Sequence, residues 1–466
     1  MANTLELSRH LATARLRDSR GTGALDVFAV AASAVTSWLA FVVASGTWMF
    51  VQRRDNPPEL LLGPGGDPAV ATSVATAYVV LAAFACALLV LPILGLGGAA
   101  ARLGARGRAR RLASLRLIGM TSREVVTMSV VESVLQAAVG LVIGVGLWLA
   151  STPLLGMLSF QGRHIGFTEL LMPWWLWLAV AVVVLTLAAL STVIGLARVR
   201  ISPLGVARQA SNPALRAWRV LAFVLGLGAL LMLGQVFLLD ISVFVIGLVF
   251  GGMVLFAMAM TNLFAPWLLQ LIARFGVLTG SAARLIAMRR IIADPRSAWR
   301  NVSSLGLIGF IVGVVSTLPL GAIDDMNPEE LVIIYDIRTG AWLTLGIAVL
   351  VGAAATALAQ SSDVVDRGDE LVALDRMGVP PALDAAARRH QVLMPLVLTL
   401  GTSMALGGLV ALPLMAQLDS LFAVTSSTAI VLAACLIAPV TLTLAAAEAT
   451  RPLRRRAIGT LTRRND

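Results

Sequence analysis

Two short segments, Leu115-Arg116-Leu117-Ile118-Gly119 and Leu374-Asp375-Arg376-Met377-Gly378, stand 259 residues apart, each wedged between two long apolar runs. Glu132 follows the first glycine by thirteen positions and Gln391 follows the second by thirteen. Such segments hold no nucleophile and no proton relay, so the chemistry they offer is recognition. Leu115, Ile118, Met120, Leu374 and Met377 supply apolar knobs, Arg116 and Arg376 supply charge, and Gly119 and Gly378 permit a turn or the close approach of another backbone. A solvated amphipathic loop is the bland alternative. Duplication within one chain favours a docking surface used twice.

The remaining reactive residues are sparse. His10, His164 and His390 are widely separated and suggest no metal or catalytic cluster. Cys86 and Cys435 lie deep in apolar runs and read as inert small residues, not as a disulfide or metal site. A P-loop needs G-x-x-x-x-G-K-[ST], whose lysine reaches the nucleotide phosphates. All 36 basic residues are arginine, so the chain cannot hold a site of that form. Glu132 is the strongest intramembrane charge, with a substrate or gating contact on one side and a structural hydrogen bond on the other as its readings. Trp174 and Trp175, with Trp177, open an apolar run; Trp38, Trp48, Trp148 and Trp342 lie towards the same ends. An interfacial aromatic belt explains them, and an entry point for an amphipathic substrate is the alternative.

What positions these residues is a membrane. Of 466 residues, 58% are hydrophobic and 13% charged, with a mean hydropathy of +0.88, which excludes an ordinary soluble domain. Runs long enough to cross a bilayer as helices lie near 25–50, 70–97, 125–151, 173–197, 218–239, 242–270, 302–322, 340–361, 391–416 and 425–449. With the amino terminus inside, 32 of the 36 arginines fall on the cytoplasmic side. Arg53, Arg54, Arg163 and Arg338 fall outside with 11 of the 25 acidic residues, including Asp55 and an acidic 324–336 loop ending at Asp336. Both termini are then cytoplasmic. The net charge of +11 reflects this bias and not a nucleic-acid partner. Residues 1–24 and 284–300 read as interfacial amphipathic helices, one opening each half.

The reading is an all-α polytopic membrane protein: ten transmembrane helices in two parallel four-helix repeats plus a linking helical hairpin. The first unit is 1–217, the hairpin 218–275 and the second unit 276–466. An even number of inserted spans keeps the two repeats in one orientation, which argues against inverted-repeat transporter folds.

Arg108 to Thr121, then Val125 and Glu132-Ser133, resemble the FtsX-like (MacB-type) permeases of bacterial ABC transporters. They match that family's charged run, its "LLRxxGxs" segment between the second and third helices of a four-helix unit, and the acidic residue near the start of the third. Asp366 to Gly378 resembles it less closely, with Asp375 where the first copy has Arg116. The resemblance implies a permease subunit in the bacterial cell membrane with no cofactor of its own. ATP and Mg would be bound by a separate cytoplasmic ABC ATPase, in two copies per chain, docked on coupling segments 101–123 and 363–390. It implies export or extraction of a small hydrophobic or amphipathic compound, with membrane lipids as further partners. The connections at 51–69 and 323–339 are short where family members usually carry a sizeable extracytoplasmic domain, which disfavours capture by such a domain. A mechanotransmitter that regulates an outer hydrolase and an ATP-independent secondary carrier are the other classes this chain admits.

Overall fold

The computed structural model describes residues 23–58, 71–97 except 84, 87–88, 90–92 and 94, then 121–200, 217–234, 243–300 except 279, 302–316, 328–366, 373, 376–415 and 426–449. Helix dominates these residues: α1 (Gly23–Asp55), α2 (Ala71–Ala83), α3 (Ser122–Gly156), the one-turn α4 (Phe167–Leu170), α5 (Trp174–Arg200), α6 (Ala217–Gly234), α7 (Val243–Gly276), α8 (Ala282–Ala293), α9 (Pro295–Arg300), α10 (Gly306–Val315), α11 (Pro328–Asp366), α12 (Pro381–Met415) and α13 (Ser426–Ala449). A two-strand hairpin, β1 (Ser159–Phe160) and β2 (Arg163–His164), links α3 to α4.

Six helices are long and apolar enough to cross a membrane, over Ala29–Asp55, Val126–Gly156, Trp174–Ile194, Gly251–Gly276, Tyr335–Leu358 and Ala382–Ala411. The chain is an all-α polytopic membrane protein. Shorter apolar stretches, Ala71–Ala83 in α2, Trp218–Gly234 in α6, α10 itself and Leu436–Ala445 in α13, fall within the other four predicted spans. Large apolar side chains stand exposed along the spans, among them Val142, Ile194, Leu225 and Met232. Faces of that kind suit a lipid solvent.

Prolines explain where the helix ends depart from the hydropathy reading. α1 stops at Asp55 because Pro57 biases Asn56 away from helical geometry. Pro295, Pro328 and Pro381 each occupy the first position of a helix, where a missing N–H costs nothing and φ is preset. The segment predicted as one interfacial helix over 284–300 is therefore two, broken at Asp294 before Pro295. Likewise α11 begins at Pro328, so the predicted outer loop at 323–339 is helical from 328 onward. α12 begins ten residues ahead of the predicted span and includes the last ten residues of the proposed second docking segment.

The helices sort into two compact units. One comprises residues 1–49, 90–158 and 164–209; the other comprises 50–89, 159–163 and 210–466. In the first, Gly140 and Gly144 of α3 press on Ser33 and Ser37 of α1: a methyl added at either would sit 2.5 Å from the serine Cβ and at 2.8–3.0 Å from backbone atoms. Trp38 Nε1 donates to Ser151 Oγ and Trp148 Nε1 to Ser45 Oγ, both at 3.1 Å, so the helices stay in contact along their length. Contacts rise together along both sequences, so the pair is parallel. α5 closes this unit, with Trp177 packed edge-on against Trp148, ring centroids 5.1 Å apart. Trp148 is fully buried, and so belongs to the core and not to an interfacial belt.

The second unit repeats this device. Gly306 of α10 faces Thr399 and Ser403 of α12, Gly309 faces the backbone of Leu400, and Gly313 faces Met404 and Gly408. Gly407 of α12 returns the contact against the Phe310 carbonyl. These contacts also rise together, so α10 and α12 are parallel. Thr399 and Ser403 stand 259 positions after Gly140 and Gly144, so the glycines have exchanged helices while the small-on-small seam remains. Elsewhere in the unit, α7 packs on α8 and α9 through Leu269, Ala273, Met288 and Ile291. Trp299 Nε1 donates to Asn262 Oδ1 at 2.8 Å, the interhelical bond expected of an intramembrane asparagine. α6 lies on α7, with Phe223 stacked on Phe264 at 4.2 Å.

Candidate functional site

The duplicated segments are best read from the helices they feed. Leu115, Arg116, Ile118, Gly119, Met120 and Leu374 lie outside the described residues. Thr121 caps α3: its hydroxyl accepts from the Glu124 N–H at 3.3 Å, and its own N–H donates to Glu124 Oε2 at 2.8 Å. This reciprocal pair satisfies two of the donors that a helix start leaves open. The Thr121 backbone N–H and then its hydroxyl, which donates to Glu124 Oε2 at 2.8 Å, hold the Glu124 carboxyl below the usual carboxylate range. In the second copy Arg376, Met377 and Gly378 are all exposed. Met377 N–H bonds the Ala373 carbonyl at 3.0 Å, and Gly378 then turns the chain with φ +74° into Val379-Pro380 and α12.

The two copies therefore enter their long helices in the same register. α3 and α12 each run 35 residues, and their first residues, Ser122 and Pro381, are 259 positions apart, as are Gly119 and Gly378. Glu132 and Gln391 are each the eleventh residue of these helices, about 15 Å along the axis from its start. Both are half-buried. α12 is tied at its start to α8: Arg290 approaches Asp384 Oδ1 at 3.5 Å, and Arg388 approaches Oδ2 at 3.9 Å. A turn later, Arg389 pairs with Glu448 of α13 at 2.9 Å. Ion pairs in the first three turns of α12 thus join it to α8 and α13.

Trp174 and Trp175 do not join these residues. Trp174 is 78% exposed at the first position of α5, and Trp175 is half-exposed and packs edge-on to Trp48 at 5.8 Å. Among the described residues no group of histidine, cysteine and carboxylate side chains is arranged to hold a metal ion.

A buried polar cluster escaped the sequence reading. Arg53, in the last turn of α1, is 3% exposed and donates to the Phe160 carbonyl at 2.6 Å. Asp336, placed by sequence in an acidic outer loop, is instead 6% exposed in α11. Its Oδ2 accepts from the Tyr78 hydroxyl and from the Gln161 backbone N–H, both at 2.6 Å. Phe50 stacks on Tyr78 and meets Phe160 edge-on, closing the cluster with aromatic rings. Gln161 itself is 1% exposed with φ +57°, a left-handed conformation that costs a non-glycine residue energy and persists only where its surroundings enforce it. Neither polar atom of its side chain finds a hydrogen-bond partner among the described residues. These partners lie 107 to 258 residues apart, so no local spacing announces them. Asp336→Ala strips an acceptor from two buried donors and is expected to cost about 3 kcal/mol. Asp336→Asn, which keeps an acceptor, is expected to cost less. Thermal unfolding of the purified variants in one detergent measures both; an Asp336→Ala protein that melts with the parent would remove the cluster's structural role.

Residues 82–204 match the family of FtsX-like permease C-terminal domains. The matched stretch contains the first arginine-rich connection with Gly119, the whole of α3 with Glu132, and α5 with Trp174 and Trp175. No curated protein and no solved structure matches the chain. Spanning helices, a glycine segment leading into a capped long helix and this match converge: the chain is a multi-pass membrane protein whose residues 82–204 are similar to the C-terminal domain of FtsX-like permeases.

Proposed function

We propose that this chain is the membrane-spanning subunit of an ABC transporter that exports or extracts a hydrophobic or amphipathic compound. ATP and Mg are bound by a separate ATPase, two copies of which dock from the cytoplasm on segments 101–123 and 363–390. The observation that carries this reading is the family match across the first segment, joined to the register in which both segments enter equal 35-residue helices. An ATPase pressing on either segment acts at the start of a helix long enough to cross the bilayer and about 20 Å more, since 35 residues rise about 52 Å. The small-residue seams then carry that push to α1 and α10, because helices in backbone contact move together. Each repeat passes the push along its own seam, and the substrate leaves the lipid as the helices shift. Cytoplasmic termini in the cell membrane follow from the arginine distribution.

The reading is tested by crosslinking. Met377 is 69% exposed beside the Gly378 turn, whereas Leu154, 68% exposed, lies near the far end of α3. With Cys86 and Cys435 replaced, a cysteine at position 377 is expected to crosslink to the co-expressed ATPase and one at 154 is not. Equal crosslinking at both, or none at 377 in a complex that still hydrolyses ATP, contradicts the docking assignment.

A further inference from the structure

A groove of about 740 Å³ runs along the face of α12, walled by α8 and α7. One end is polar, with one fixed cation: Arg284 of α8 and the imidazole of His390 of α12 both line it, both are exposed, and among the described residues neither has a hydrogen-bond or ion-pair partner. The nearby carboxylate, Asp384, is already engaged by Arg290 and Arg388, and Asp294 accepts from the Ser297 N–H. The rest of the wall is apolar, including Met288, Met394 and Val397, the last 60% exposed. Gly401 and Ala405 keep the far end shallow in side-chain bulk, and a methyl added at Gly401 would meet nothing within 4 Å.

The dimensions select the ligand. His390 to Ala405 is about 22 Å of helix at 1.5 Å per residue. One leaflet contributes about 15 Å of hydrocarbon, half of a 30 Å core, with the headgroup layer above it. The groove is therefore one leaflet deep with a cationic mouth at headgroup height, on the side where α8 and its arginines lie. Its volume is that of a ligand site. Arginines that snorkel to arbitrary headgroups have no need of a groove below them; here the two features are continuous.

We propose that this groove is a binding site for one anionic phospholipid, its phosphate held by Arg284 and His390 and one acyl chain laid along Met394, Val397 and Gly401. Basic pockets between membrane helices recognise anionic headgroups by this combination of charge and apolar wall. The assignment rests on the helices being embedded in lipid and stands apart from the ATPase pairing.

The test is native mass spectrometry of the full-length chain in detergent, titrated with phosphatidylglycerol and, separately, with phosphatidylcholine of the same acyl chains. The wild-type protein is expected to retain one phosphatidylglycerol with at least a tenfold preference over phosphatidylcholine. The double variant Arg284→Gln/His390→Gln is expected to reduce that preference to about twofold or less. Gly401→Phe, which fills the groove without touching the charges, is expected to reduce retention of the lipid several-fold. Thermal unfolding of each variant verifies that it is folded. Equal retention of the two lipids by wild type, or a preference that survives both the charge and the plug variants, overturns the proposal.

Discussion

Gly144→Val, Gly313→Val and Gly407→Val are each expected to destabilise the protein by about 3 kcal/mol or more, whereas Gly146→Val in α3 and Gly401→Val in α12, on other faces of the same helices, are expected to cost about 1 kcal/mol or less. The contrast follows from what each new Cβ meets. At Gly144 it would stand 2.8 Å from the Ala34 carbonyl oxygen and 2.8 Å from the Trp38 nitrogen. At Gly313 it would press on the Met404 carbonyl and stand 2.9 Å from the Gly408 nitrogen, and at Gly407 it would press on the Phe310 carbonyl. These are backbone atoms of a neighbouring helix, so the helices must part and the contacts along the seam are lost with them. At Gly146 and Gly401 nothing lies within 4 Å. Thermal unfolding in detergent and the fraction of protein eluting as a single species report the difference. Comparable losses at Gly144 and Gly146 would mean that helix propensity, and not the seam, governs these positions.

Gly378→Val is the second large effect, and it falls on function. With φ +74° the backbone there is left-handed, which costs a β-branched L-residue roughly 1–2 kcal/mol. No side chain crowds the position, so a larger residue is unwelcome for its backbone and not for its volume. The segment is exposed and small, so the turn is expected to re-form in another geometry while the rest of the fold persists. That displaces Arg376 and Met377 relative to the start of α12. Permease-stimulated ATP hydrolysis in lipid is then expected to fall about tenfold with the folded yield unchanged. Gly378→Asn is expected to retain most of it, because asparagine tolerates the left-handed region. Full stimulation in Gly378→Val would show that the turn does not set the docking surface.

Much of this protein is legible in its sequence because membrane helices are written in composition. Apolar runs placed α1, α3, α5, α7, α11 and α12, and the paired glycines at 119 and 378 gave the register in which α3 and α12 begin. Hydropathy misjudged ends wherever a helix continues into polar residues. Asp336 and the first turns of α12 read as loop by composition, although Pro328 and Pro381 mark the true starts. The seams were present as signals of another kind: Gly140 and Gly144, like Gly309 and Gly313, repeat at four-residue spacing, which places both on one helix face. Trp148 shows the limit of reading aromatic residues by depth alone, since it is a core residue while Trp174, assigned to the same belt, is exposed. The Arg53, Tyr78, Gln161 and Asp336 cluster lies beyond local pattern, because four distant segments build it and only their packing brings them together.

The measurement that tests the central claim most directly is purification of this chain, by a tag on the permease, after co-expression with an ABC ATPase encoded beside it, followed by ATP hydrolysis in lipid. Two ATPases per permease and hydrolysis stimulated by lipid reconstitution are the expected results. A folded permease that binds no such ATPase, or binds one without any effect on its hydrolysis, would contradict the account.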